Sequence, residues 1–153
     1  MKKFQFKLQR LLDIKEAREK EVQNELAAVL NIQNRERIRQ QEYSRRIRDE
    51  REKFNLKLRA GKFSYSDALM FEKFTDFANR VIEVAQDRIE SMEPEIQRVR
   101  ERLVEASREK KVVQRLKERR HQEYLYDYNR EMNKEYDDMN QNVYLRRQLQ
   151  KEG

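Results

Sequence analysis

Residues 54–67 read Phe54-Asn55-Leu56-Lys57-Leu58-Arg59-Ala60-Gly61-Lys62-Phe63-Ser64-Tyr65-Ser66-Asp67. Gly61 is the one glycine inside the chain. It follows Phe54 and Leu58, the last apolar residues of a helical spacing, where a left-handed C-terminal cap is expected. Ser64 and Ser66 are both candidates to cap a following helix, and Ser64 has Asp67 three residues on, as a capping box requires. Residues 60–65 therefore predict a short helix–helix turn at which the chain doubles back.

Working outward from the turn, the apolar residues fall at alternating steps of three and four. On the N-terminal side these are Leu8, Leu12, Val22, Leu26, Val29, Tyr43, Ile47 and Phe54, with Lys15, Glu19, Gln33, Glu36, Gln40 and Glu50 as polar interruptions. On the C-terminal side they are Phe74, Ala78, Val81, Ala85, Met92, Ile96, Val99, Leu103, Ala106 and Val113, continuing through Tyr124, Tyr128, Met139 and Leu149. Such a seam is the signature of a coiled coil. Pairs such as Glu16–Lys20, Glu42–Arg46 and Asp49–Lys53 support the exposed faces. Pro94 lies inside the second seam. An interior proline costs about 3 kcal/mol and kinks or ends a helix. The seam keeps phase from Met92 to Ile96, which favours a kink over a break into three helices.

With the turn centred near Lys62, facing positions of an antiparallel pair sum to roughly 124 or 125. Val22 then faces Leu103, Leu26 faces Val99, Tyr43 faces Val81, Ile47 faces Ala78 and Leu12 faces Val113. Glu36 falls opposite Arg88, whereas Lys15 against Lys110 is a poor layer unless both side chains reach outward. The expected fold is all-α: two long antiparallel helices forming one coiled-coil hairpin, with helices at about 4–59 and 66–150. The second helix is longer. The first runs out opposite about Arg120, so residues 121–150 overhang at the C-terminus by about 45 Å if helical.

Composition agrees. Charged residues make up 42 % of the 153 and hydrophobic ones 37 %, too few for a thick globular core. With Gly 2 and Pro 1 the chain is poor in the residues that mark disorder, and good helix formers dominate. The formal net charge is +7 with both signs interleaved, as on solvated helix faces. Cys is 0 and His is 1, so thiolate chemistry is excluded and a metal site is not expected. No phosphate-binding glycine loop exists, and a helical hairpin offers no pocket for a catalytic triad. No catalytic residue, metal or cofactor is expected. No apolar run approaches the roughly 20 residues of a membrane span, and residues 1–12 lack the apolar core of a secretion signal. The expected location is the cytoplasm.

Three features remain. Residues 98–120 hold ten basic and four acidic side chains. They form either a solvated face or a cationic stripe for an acidic partner; base-stacking aromatics are missing, which argues against nucleic acid. Phe71, Phe74 and Phe77 repeat every three residues, and either cap the core beside the turn or form a protein-binding patch. The overhang carries five of the seven tyrosines, and either frays or meets a partner.

The order Phe4-x-Phe6-x-Leu8-x-x-Leu11-Leu12, then Phe71-x-x-Phe74 after the turn, resembles the flagellar FliJ proteins. So does the later run Leu103-Val104-Glu105-Ala106, followed by Lys110-Lys111-Val112-Val113-x-x-Leu116-Lys117-Glu118-Arg119-Arg120. The resemblance spans nearly the whole chain; Pro94 and the tyrosine-rich end have no counterpart in it. It implies a non-enzymatic, rotor-stalk-like component of the flagellar type III protein export apparatus. Such a protein inserts the end carrying both termini into the hexameric export ATPase, promotes its assembly and activity, and links it to the membrane export gate and to export chaperones. By the matching motifs, Phe4, Leu8, Leu11, Leu12, Lys110, Lys111, Leu116 and Arg119 would meet the ATPase ring, and Phe74, Ala78 and Val81 the gate. The resemblance also implies a peripheral place at the inner face of the cell membrane. The rival readings are a self-associating structural coiled-coil scaffold and a nucleic-acid-binding helix pair.

Overall fold

A computed structural model of the chain describes residues 3–151. They form α1, Gln9–Arg59, and α2, Tyr65–Leu149, of 51 and 85 residues. Both helices contribute to two compact units: Lys20–Glu105, which contains the turn, and Met1–Glu19 with Ala106–Gly153.

In the unit that contains the turn, the chain reverses by two interlocking caps. Gly61 has a φ of 68°, a left-handed conformation that costs an L side chain about 1–2 kcal/mol. Its N–H donates to the Leu58 carbonyl and that of Lys62 to the Lys57 carbonyl, at 3.3 and 3.2 Å, the two bonds of a Schellman motif. Ser64 rather than Ser66 then caps α2. The Asp67 N–H donates to Ser64 Oγ at 3.2 Å and the Ser64 N–H to Asp67 Oδ2 at 3.3 Å. Lys57 reaches across the turn to Asp67 at 3.3 Å. The Ser64 hydroxyl, and after it Lys57, hold the Asp67 carboxyl below its ordinary pKa.

The seam of this unit closes as an antiparallel pair. Val22, Ala78, Ala85, Ile89, Ile96 and Val99 are buried; each large aliphatic among them contributes roughly 1.5–3 kcal/mol. The Glu36–Arg88 layer forms as the register requires, at 3.3 Å. Glu25 takes Arg102 through two bonds of 2.8 and 2.9 Å, and the Arg102 pKa is raised by that hydrogen-bonded pairing. The two seam glutamines are satisfied across the interface. Gln33 Nε2 donates to Glu93 Oε1 at 2.7 Å and to the Ile89 carbonyl at 3.4 Å. Gln40 does the same with Gln86, at 2.9 Å, and the Ile82 carbonyl, at 3.2 Å. α2 continues through Pro94, so the break into three helices does not occur. Pro94 is exposed, on the side opposite buried Ile96. The carbonyl one turn earlier, which loses its donor, therefore faces water.

In the other unit Leu12, Ala106 and Val113 are buried. The two lysines expected to oppose each other avoid that clash by choosing acids one step away: Lys15 bonds Glu109 and Lys110 bonds Glu19, both at 2.6 Å. Lys117 donates to Gln9 Oε1 at 2.7 Å. Helix α1 begins at Gln9, not near residue 4 as the sequence suggested. None of residues 3–8 is a good N-cap, and α1 has no acidic residue in its first turn. Leaving the helix lets the Phe4 ring pack on His121 and Tyr124, with centroids at 5.0 and 5.6 Å. The N-terminal segment thus covers α2 as far as Tyr124, and the unpaired stretch begins beyond it rather than at residue 121.

Candidate functional site

Two surfaces carry the residues singled out from the sequence, one in each unit. In the unit of Met1–Glu19 with Ala106–Gly153, the geometry sorts them into packed and available. Leu12 is buried, Phe4 and Leu116 are half-buried, and Lys110 is engaged by Glu19. That hydrogen bond raises the Lys110 pKa and lowers that of Glu19, each against partial desolvation. Leu8 and Leu11 remain exposed at 41 % and 37 %, with Lys111 and Arg119 also exposed. Among the described residues Arg108, Lys111, Arg115 and Arg119 make no ion pair, while Lys110 and Arg120 do. Those four fall at steps of three and four, so they share one outward face of α2. Val112, 69 % exposed, sits beside them. Cross-helix pairing has thus removed some cations of the basic stretch and left a compact row of others.

In the unit Lys20–Glu105, Ala78 is wholly buried, and Phe74 and Val81 are half-buried. Phe71 stacks on Phe54 at 5.0 Å with planes 12° apart, closing the core beside the turn. Phe77 touches Tyr43 edge-on at 6.1 Å yet stays 52 % exposed. The aromatic triplet therefore divides between core and surface. Beyond it lies a shallow groove of about 300 Å³, with Phe77, Val81 and Val84 as its apolar floor and Arg39, Arg80 and Arg88 as its rim. Glu36 adds one carboxylate oxygen bonded to Arg88 and a second that is buried without a partner. Among the described residues no group of three His, Cys, Asp or Glu could hold a metal ion, and no helix is long and apolar enough to cross a membrane.

The pattern that defines the flagellar FliJ protein family matches residues 4–149 of the chain. The chain belongs to the FliJ family. No curated protein and no solved structure matches it at a significant level. As a FliJ-family member it is a component of the flagellar export apparatus, acting in flagellum biogenesis and protein export. Of the residues expected to meet partners in a FliJ protein, Leu8, Leu11, Lys111 and Arg119 are openly accessible. Leu12, Ala78 and Lys110 instead hold the helices together and shape the surface beside them. Four residues that the sequence did not single out join this FliJ chain's surfaces. Val84 and Arg39 flank the groove three residues on from the seam positions Val81 and Glu36, a signal already present in the heptad register, and Arg80 sits one turn on from Phe77. His121, which lies under Phe4, had no such signal, because the departure of the N-terminal segment from the helix put it there.

Proposed function

We propose that this chain is a stalk-like accessory protein of the flagellar type III export ATPase. The end that carries Phe4, Leu8, Leu11 and Leu12 beside Lys110, Lys111, Leu116 and Arg119 enters the central pore of the ATPase hexamer and promotes its assembly and activity. The surface around Phe74, Ala78 and Val81 meets the membrane export gate, and the protein also escorts export chaperones. It works from the cytoplasm, bound peripherally at the inner face of the cell membrane. Family membership supports this reading. The observation that carries the ring contact is the row of exposed cations without ion pairs beside exposed Leu8 and Leu11. Such charges steer and fix a complex more than they hold a fold together.

Mixing the purified chain with the ATPase should raise both ATP hydrolysis and the hexamer fraction. Lys111→Glu with Arg119→Glu should weaken that effect about tenfold, the loss of two rim charges worth roughly 0.7 kcal/mol each. Helicity should be unchanged, because neither residue makes an ion pair in the fold. Absence of stimulation by the unaltered chain would refute the proposal.

A further inference from the structure

The C-terminal part of α2 carries a stripe that nothing in the described chain covers. Among the described residues, the last ring contact of the N-terminal segment on α2 is Phe4 on Tyr124. Beyond it Leu125, Tyr128, Tyr136, Met139 and Val143 are 38–63 % exposed, and Met132 is half-buried. At about 100° per residue these six fall within an arc of roughly 80°. Tyr126, Tyr144, Leu145 and Leu149 are exposed off this arc, but the six repeat at steps of three and four, the spacing of a helix–helix seam rather than of a solvated end.

Charge along the same segment is segregated. Glu123, Asp127, Glu131, Glu135, Asp137 and Asp138 outnumber Arg130 and Lys134, whereas residues 139–151 contain Arg146, Arg147 and Lys151 and no acid. The centre of the stripe is also its own complement. Reversed about residues 137 and 138, Met132 falls on Val143 and Tyr136 on Met139, while the outer residues Leu125 and Tyr128 fall on Gln150 and Arg147. The same reversal brings Arg146 towards Glu131. A surface that maps onto itself under reversal is what a two-fold interface between identical chains requires. Parallel pairing would instead set the acidic block against its copy, and like charges in such contact are unfavourable.

We propose that residues 125–149 of α2 pair antiparallel with the same residues of a second copy of this chain. One segment of this length buries less area than a standard stable interface, so the association is weak and concentration-dependent. It would hold the end of α2 in reserve when chains are abundant and release it when a stronger partner competes. The inference goes beyond the ring-entry reading and does not depend on it.

Sedimentation equilibrium on the full chain tests it. The mass should rise from the 19.0 kDa of one chain towards twice that value as the concentration is raised towards roughly 1 mM. Met139→Lys combined with Val143→Lys should keep a single-chain mass with unchanged helical circular dichroism. The chain has no cysteine, so introduced thiols report orientation directly. On mild oxidation Tyr136→Cys and Met139→Cys should link when the two variants are mixed. Met132→Cys and Val143→Cys should link when mixed, but neither alone. A constant single-chain mass would overturn the proposal, as would lysine variants that associate like the unaltered chain. Met132→Cys linking to itself as readily as to Val143→Cys would do the same. These readouts need no ATPase, so they stand apart from any failure of the ring-entry reading.

Discussion

Gln33 is the buried polar residue of the seam, 3 % exposed among aliphatic neighbours, and its replacement separates two roles. In Gln33→Ala the 2.7 Å bond to the Glu93 carboxylate is lost, along with the 3.4 Å bond to the Ile89 carbonyl. The first, with a charged acceptor, is worth about 1.5–2 kcal/mol and the second, long bond about 0.5 kcal/mol. The missing side-chain methylene adds roughly 1 kcal/mol of lost burial. Glu93 is exposed and rehydrates freely, so no further penalty follows, and the total loss is about 3 kcal/mol. Gln33→Met keeps the volume and removes the polar group together with its need for partners. Replacing a buried polar contact by an apolar side chain of similar shape is neutral or stabilising, so stability should stay within about 1 kcal/mol of the original. Register should loosen, because a polar seam residue that finds its partners at only one alignment specifies that alignment. Urea unfolding followed by helical circular dichroism gives the stabilities. Disulfide formation between Val22→Cys and Leu103→Cys within one chain, measured with Gln33 retained and again with Gln33→Met added, gives the register. If Gln33→Met destabilised as much as Gln33→Ala, the amide would be contributing net stability rather than alignment, and the reasoning would fail.

Gly61→Ala should lower stability by about 1 kcal/mol in the same urea assay, the cost of a left-handed alanine; a Cβ there meets nothing within 4 Å, so a much larger loss would mean that strain is not the cause. Glu19 has its pKa lowered by Lys110, so its contribution is complete above the ordinary carboxylate range and is lost as pH falls through the depressed value. Glu19→Gln should therefore lower the thermal midpoint at neutral pH, with the difference from the unaltered chain closing in acid; a gap that persisted undiminished at low pH would contradict that linkage.

Much of the fold was legible because coiled-coil packing repeats itself. Once the steps of three and four were recognised, polar positions such as Gln33, Glu36 and Gln40 fell on the inner face despite their chemistry, and all three are buried or half-buried. The reversal at Gly61 was legible because few residues tolerate its backbone conformation. Pro94 was readable as tolerated because the seam keeps phase across it. Ile89 was harder to place: it is buried at a step where Arg88 already satisfied the register by facing Glu36, and one helix position cannot report which neighbour turns inward. On the candidate site, the sequence indicated the basic stretch but not its available members. Lys110 and Lys111 are adjacent and chemically identical, yet only Lys110 finds a carboxylate across the interface.

By itself, then, the sequence determined what depends on local periodicity and backbone chemistry: two helices, the seam, the position of the turn and the family pattern. The tertiary structure decided what depends on distances between residues far apart in the chain. It set which cations pair and which remain free, the departure of Phe4 from the helix to pack on His121 and Tyr124, and the division of the Phe71, Phe74 and Phe77 triplet between core and surface. A helical repeat places every side chain at an angle around its own axis. Only a second helix at a definite register fixes which of those angles are filled.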